Sequence, residues 1–314
     1  MNVVIVGGAG FIGCSLVKQL DEEGFKVRVL DSARRLERVA DLLSGVETQA
    51  FDFSVDTDAV RFMEGAQALV HLACSTTPAQ SMNNMSHDAD SNIGPSLRLF
   101  DAAMAAGVTR AIFSSSGGTV YGAPRRPSMD ETHPTQPLSA YGVSKLAIEN
   151  YLSLYPSLCG ISLRIANPFG AYQLRGAAVG VIARYVDAIG RGEPIEVWGD
   201  GSVVRDYIAV EDVAGAIREA LVGTDIPAGA YNIGSGVGKS INDVIHCIFE
   251  VSGSKVPVLY SSGRAYDVPS VVLDSSLFSR VTAWKTQITF QQAVENLWRA
   301  AEDARGTRLA VMPG

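Results

Sequence analysis

The sequence has little of what builds a stapled fold: only four cysteines in 314 residues. Cys14, Cys74, Cys159 and Cys247 lie far apart and form no C-x-x-C pair. A disulfide framework and a cysteine-based metal site are both excluded, so reduced, mostly buried thiols are expected and no metal. No run approaches the roughly 20 apolar residues of a membrane span. Basic residues are in deficit, 26 Lys and Arg against 33 Asp and Glu, for a net charge of −7. That excludes a broad cationic face for nucleic acid, although a few local arginines can still hold an anionic small molecule. From Met1 the chain runs into an apolar strand and then glycines, with no basic stretch leading a signal-type region. A cytoplasmic location is the expectation. Low-complexity segments, internal repeats and long linkers are missing as well.

Apolar residues are not scarce. They make up 47% of the chain, with a mean hydropathy of +0.15. A chain this long exceeds what one core usually organises, so a large domain plus a smaller one is expected. The first half alternates short β-rich runs (2–6, 27–30, 46–51, 68–73, 110–114 and 161–165) with helical stretches. These include one starting near Phe11 and stopping at Gly24, one at 90–106 and one at 141–155. That alternation predicts an α/β fold built on a doubly wound parallel sheet covered on both faces. After Pro168 glycine and proline punctuate shorter elements, and a smaller mixed α/β substrate domain is expected there. The proposed division is 1–168 with 206–232 returning to it, against 169–205 and 233–314. The tail from Arg305 reads as frayed.

Residues 7–13 read GGAGFIG, directly after a strand and before a helix. Gly7, Gly10 and Gly13 recur every three residues, and Gly8, Gly10 and Gly13 satisfy G-x-G-x-x-G. Glycine allows the tight turn, the close approach of backbone to a pyrophosphate, and helix–strand packing. The helix beginning near Phe11 then aims its amides and dipole at the phosphates. Asp31 follows Gly13 by 18 residues, at the end of the second strand, where a carboxylate accepts hydrogen bonds from a ribose. It also repels a 2′-phosphate, which favours NAD over NADP, although Arg34 and Arg35 stand beside it. A glycine turn alone is a weak signal; with Asp31 in register it points to a Rossmann-type dinucleotide site.

Tyr141 and Lys145 are spaced i, i+4 at the start of a predicted helix, so both address one site. A phenol titrates too high for a base at neutral pH, with a reference value of about 10. A neighbouring ammonium and a positive nicotinamide ring are expected to favour the phenolate. Taken alone, Y-x-x-x-K is more often a core-edge tyrosine and a solvated lysine. Here Ser114, Ser115 and Ser116 end the fifth strand, followed by Gly117 and Gly118, and strand C-termini in an open parallel sheet are where ligands bind. A hydroxyl there can hold a reacting oxygen beside Tyr141.

In these motifs the sequence resembles the extended short-chain dehydrogenases/reductases and, within them, the nucleotide-sugar epimerases. The resemblance covers nearly the whole chain. It rests on GGAGFIG, Asp31, Asp52-Phe53, HLA at 71–73, Asn92, FSSSGGTVYG at 113–122, YGVSK at 141–145, RIANPFGAY at 164–172 and GDGSVVRDYI at 199–208. It implies NAD held by Gly7, Gly10, Phe11, Ile12, Gly13, Asp31, Asp52, Phe53, Leu72, Ala73, Asn92, Ser114, Tyr141 and Lys145. It implies a catalytic set of Ser116, Tyr141 and Lys145, with Ser115 the lesser alternative because of the extra glycine. It places a UDP-sugar against Ser116, Gly117, Tyr141, Asn167, Arg205, Arg264, Asp267 and Val271. Two arginines from different loops suit a diphosphate.

Dehydratases of this kind carry an Asp-Glu pair after the catalytic Ser or Thr. Gly117-Gly118-Thr119 offers no carboxylate, so elimination lacks its acid and base. The expectation is 4-epimerisation of a UDP-hexose or UDP-N-acetylhexosamine through a transient 4-keto sugar, with Tyr141 as base. A net 4-keto-sugar reductase or dehydrogenase is the alternative. An NAD-sensing regulator would not need the Tyr-Lys pair, and a plain scaffold would leave the two arginine loops without a role. Val271 falls where hexose-restricted epimerases often carry a bulky Tyr, which implies that N-acetyl substrates are tolerated. The resemblance also suggests a homodimer through the helices around 90–106 and 141–155, with Leu97, Phe100, Ala103 and Met104 fitting that face or a core stripe equally well.

Overall fold

The computed structural model describes residues 1–56, 58–175, 180–263 and 268–311, the last five of these as backbone only. The first half alternates strand and helix. Its elements are β1 (Asn2–Val6), α1 (Phe11–Glu22), β2 (Lys26–Asp31), α2 (Ala33–Arg38), β3 (Glu47–Ala50), α3 (Val60–Met63) and β4 (Ala68–His71). Then follow α4 (Pro78–Asn83), α5 (Met85–Ala105), β5 (Arg110–Ser116), α6 (Ala140–Leu152) and β6 (Cys159–Ile165). The second half supplies β7 (Asn167–Phe169), a 3₁₀ turn (Ala171–Arg175), α7 (Val181–Arg191), β8 (Ile195–Trp198), β9 (Val204–Ala209), α8 (Val210–Val222) and β10 (Gly229–Ile233). It closes with β11 (Gly238–Ser240), α9 (Ile241–Ser252), β12 (Val258–Ser261), β13 (Ser270–Val271), α10 (Ser276–Thr282) and α11 (Phe290–Val311).

Seven strands form a parallel sheet in the order β10-β6-β5-β4-β1-β2-β3. Its central strands are apolar at successive positions because both faces are covered. In β1, Val3 and Ile5 enter one core with α1 and α8, while Val4 and Val6 enter the other with α5 and α6. The strand order reverses between β1 and β4, and a crevice opens there at the carboxyl ends of the strands. The Rossmann-type expectation is met.

A third core joins α7, α9 and α11 to the smaller sheet, in which β9 pairs with β7, β11 and β13. The sequence pattern returns 206–232 to the large domain as a strand and helix. Helix α8 and strand β10 do lie there, but β9 pairs in the smaller sheet. Its alternation explains this: Ile208 feeds the first core, Tyr207 and Ala209 the third. Helix α10, inside the stretch assigned to the smaller unit, brings Phe278 back against Tyr231 of β10. On α5, Phe100 and Ala103 are fully buried in the second core and not on an outer face, whereas Met104 is exposed. Among the described residues no helix is long and apolar enough to cross a membrane.

Candidate active site

The glycine turn closes onto the switch point. Gly7 has φ +87°, and a Cβ there would come within 2.6 Å of the Ala73 amide nitrogen. Gly10 caps α1 without a side chain, leaving the helix's first amides facing the crevice. Asp31 ends β2, its carboxylate accepting from the amides of Ala9 (3.1 Å) and Ser32 (2.8 Å) with Arg35 3.7 Å away. Burial pulls its acid up, and Arg35 opposes that. Beside it lies a cleft of about 180 Å³ lined by Asp31, Arg35, Asp52, Phe53, Ala73 and Cys74. The Asp31 carboxylate at the end of β2, beside the glycine turn, suits the adenosine ribose of a dinucleotide, so the residues present fit NAD.

A larger cavity of about 1320 Å³ continues from this cleft over Gly7, Gly10, Phe11, Ile12, Gly13 and Leu72. It reaches Ser116, Tyr141, Asn167, Arg205 and Val271 at its far end. Parallel pairing brings these together. Ser116 ends β5 in register with Ile165 of β6, Asn167 begins β7, and Val271 of β13 stands opposite Arg205 of β9. The Arg205 guanidinium donates to the carbonyls of Val204 (2.8 Å) and Val268 (2.7 Å), which fixes its stem at the cavity wall.

On α6, Ser139 caps the helix and the Tyr141 amide donates to the Ser81 hydroxyl at 3.0 Å. Lys145 is buried, its Nζ donating to the Ser114 carbonyl at 2.8 Å and lying 5.5 Å from the Tyr141 ring centroid. Ser114 thus contributes its carbonyl. Ser115 turns the other way, donating to Glu149, which Arg164 holds through Nη2 at 2.7 Å. Of the three serines, Ser116 is the one that lines the cavity with Tyr141. Burial, and then Cys74 and Asp88, push the Tyr141 phenol up. Burial leads that rise, opposite to the lowering expected from Lys145 together with a bound, positive nicotinamide ring.

Two residues read as ligand contacts are not among those lining the cavity. Gly117 packs under the Leu273 side chain and the Arg164 carbonyl, and Gly118 takes its place on the cavity wall. Asn92 is buried behind the wall. Its amide donates to the Asp88 carbonyl (2.9 Å) and its oxygen accepts from the Ser75 amide (2.9 Å), so it pegs the 74–76 loop. Arg264 and Asp267 lie outside the described residues.

Cys74, Thr119 and Arg175 are lining residues to which the sequence assigns no role. Cys74 borders both spaces, and its spacing gave no sign of it. Thr119 presents a buried hydroxyl with no partner among the described residues; its place in FSSSGGTVYG was the available signal. Arg175, also on the cavity wall, pairs with Asp41 at 2.7 Å and links the 3₁₀ turn to the segment after α2.

Comparison with known proteins matches residues 3–234 to the NAD dependent epimerase/dehydratase family. A UDP-glucose 4-epimerase of Mycolicibacterium smegmatis is 31% identical over 94% of this chain and 96% of its own length. A UDP-glucose 4-epimerase of Thermus thermophilus, solved with NAD, superposes with a TM-score of 0.87 at 30% identity, covering 97% of this chain and 100% of that one. A UDP-N-acetylglucosamine 4-epimerase of Methanobrevibacter ruminantium, solved with UDP-N-acetylmuramic acid, gives 0.89 at 27% identity over 96% and 98%.

Proposed function

Because the chain belongs to the NAD dependent epimerase/dehydratase family, we propose that it is an NAD-dependent isomerase inverting carbon 4 of a UDP-hexose or UDP-N-acetylhexosamine. One observation carries this reading: the glycine turn, Ser116, Tyr141, Asn167 and Arg205 all line one continuous cavity. Gly7, Gly10, Asp31 and Lys145 would hold NAD, which supplies a reversible two-electron acceptor when bound. Tyr141 takes the proton of the sugar 4-hydroxyl as carbon 4 is oxidised, and Ser116 steadies the same oxygen. Arg205 anchors the diphosphate while the 4-keto sugar turns over beneath it. Tyr141 then returns the proton as carbon 4 is reduced on its other face, so net redox is zero. Val271 leaves the wall opposite Arg205 low enough for a 2-acetamido group.

A homodimer is part of the same proposal. Val143, Tyr151 and Leu154 stand exposed on and just after α6, and Met104 on α5, forming an apolar face on the two helices. Four unpaired cysteines support a cytoplasmic setting.

Proton NMR of the purified enzyme with UDP-glucose, and separately with UDP-N-acetylglucosamine and no added cofactor, tests the reaction. The galacto-configured anomeric signal is expected in both tubes. No conversion by protein that still carries NAD would turn the assignment toward the keto-sugar reductase.

A further inference from the structure

Asp88 lies in the first turn of α5 and is fully buried, yet it takes no part in the chemistry assigned to Ser116, Tyr141 and Lys145. Its donors are all neutral. The Thr76 hydroxyl gives to one oxygen, the Ser144 hydroxyl to the other at 2.6 Å, and the Asn92 amide approaches at 3.4 Å. Ser144 precedes Lys145 on α6, and Thr76 closes the loop that carries Cys74 to the cavity. A carboxylate out of water is costly unless hydrogen-bonded and matched by a charge. The nearby Glu149 is already matched, its carboxylate taken by the Arg164 guanidinium. Lys145, with a neutral carbonyl as acceptor, is the other buried cation among the described residues.

We propose that Asp88 is a positioning residue, the buried counter-charge that keeps Lys145 an ammonium, braced on α6 through Ser144 and on the cofactor-side loop through Thr76. The groups that face it support this. From α6 come Ser144 and, through electrostatics, Tyr141 and Lys145, with Glu149 a turn beyond; from the loop come Thr76 and, acting on the same tyrosine and lysine, Cys74; from its own helix comes Asn92, while His87 and Asp90 are exposed. Burial pulls the Lys145 ammonium down, and Cys74, Glu149 and Asp88 hold it up. The N-terminal turn of α5 adds a favourable dipole for the anion.

The test uses protein labelled with ¹³C at the lysine ε-carbon, whose chemical shift follows protonation, with Lys145→Met identifying the signal. Asp88→Asn keeps the side chain's shape, and the Thr76 and Ser144 hydroxyls can reverse to meet the amide. The Lys145 signal is expected to titrate at lower pH in Asp88→Asn than in wild type. Ser144→Ala, which removes a hydrogen bond and keeps the charge, is expected to titrate with wild type. Coincidence of Asp88→Asn with wild type overturns the proposal, as does an equal displacement in Ser144→Ala. Asp88→Ser carries the same expectation if the Asn variant does not accumulate folded. The importance of Lys145 rests on the epimerase reading, where the alkaline limb of the turnover profile should move acidward in step. A wild type that converts neither UDP-sugar while the NMR displacement is seen would refute that reaction and leave the counter-charge standing.

Discussion

Tyr141 meets the cavity with burial, Cys74 and Asp88 all set against its phenolate. If it is nonetheless the base, removing its hydroxyl removes the proton acceptor and little else. Turnover of Tyr141→Phe is expected to fall by about 10²–10⁴-fold, and near-normal rates would sink the assignment. His71 makes the opposite kind of statement. It is fully buried among Phe53, Phe100 and Phe113, and burial holds its imidazole down to about 3, from 6.5. Between those values the unfolded chain binds the proton and the folded one does not, so stability drains away as pH falls through that window. The slope approaches about 1.4 kcal/mol per pH unit from this group. Denaturant titrations of wild type and His71→Asn at about pH 7 and about pH 4.5, above and inside that window, check it: the variant should lose less on acidification. At this scale the glycine turn and Asp31 were legible, because backbone geometry dictates those residue types. Asn92 and Gly117 were not, since which neighbour a side chain meets depends on packing that a motif does not encode.

Helix α6 works as a rail. Its successive turns carry Tyr141 to the cavity, Lys145 to the end of β5, and Glu149 to Arg164 and Ser115. Both members of that last pair are buried. Truncating one leaves a lone charge inside, so Arg164→Leu is expected to destabilise by about 3–5 kcal/mol. Equilibrium unfolding reads this directly, and a loss under about 1 kcal/mol would show the pair to be dispensable. The short strand β13 carries a substrate-range prediction. Val271→Tyr adds bulk to the wall, and its ratio of kcat/KM for N-acetylhexosamine over hexose is expected to fall roughly 10-fold or more. An unchanged ratio would remove Val271 from the wall. The large-sheet elements were readable from period and composition. Strand β9 was misplaced because its residues suit either sheet, and only its hydrogen-bond partners decide between them.

As a whole, the molecule gathers its apolar residues into three cores and leaves Met104 on α5, and Val143, Tyr151 and Leu154 on and just after α6, exposed. Replacing Tyr151 and Leu154 together by Glu would put charge there, and sedimentation velocity is expected to show a dimer becoming monomer. A sedimentation coefficient unmoved by the change would place the contact elsewhere. The two sheets meet around the cavity, and the register there has a further meaning. Val271 and Arg205 are paired neighbours on β13 and β9, so the residue proposed to limit the sugar and the residue proposed to grip the diphosphate share one ladder. Mutations that widen substrate scope from that side will tend to loosen affinity as well. Lineages or designers seeking breadth without that trade-off have a separate route through Gly118 and Thr119, which reach the same space from the other sheet.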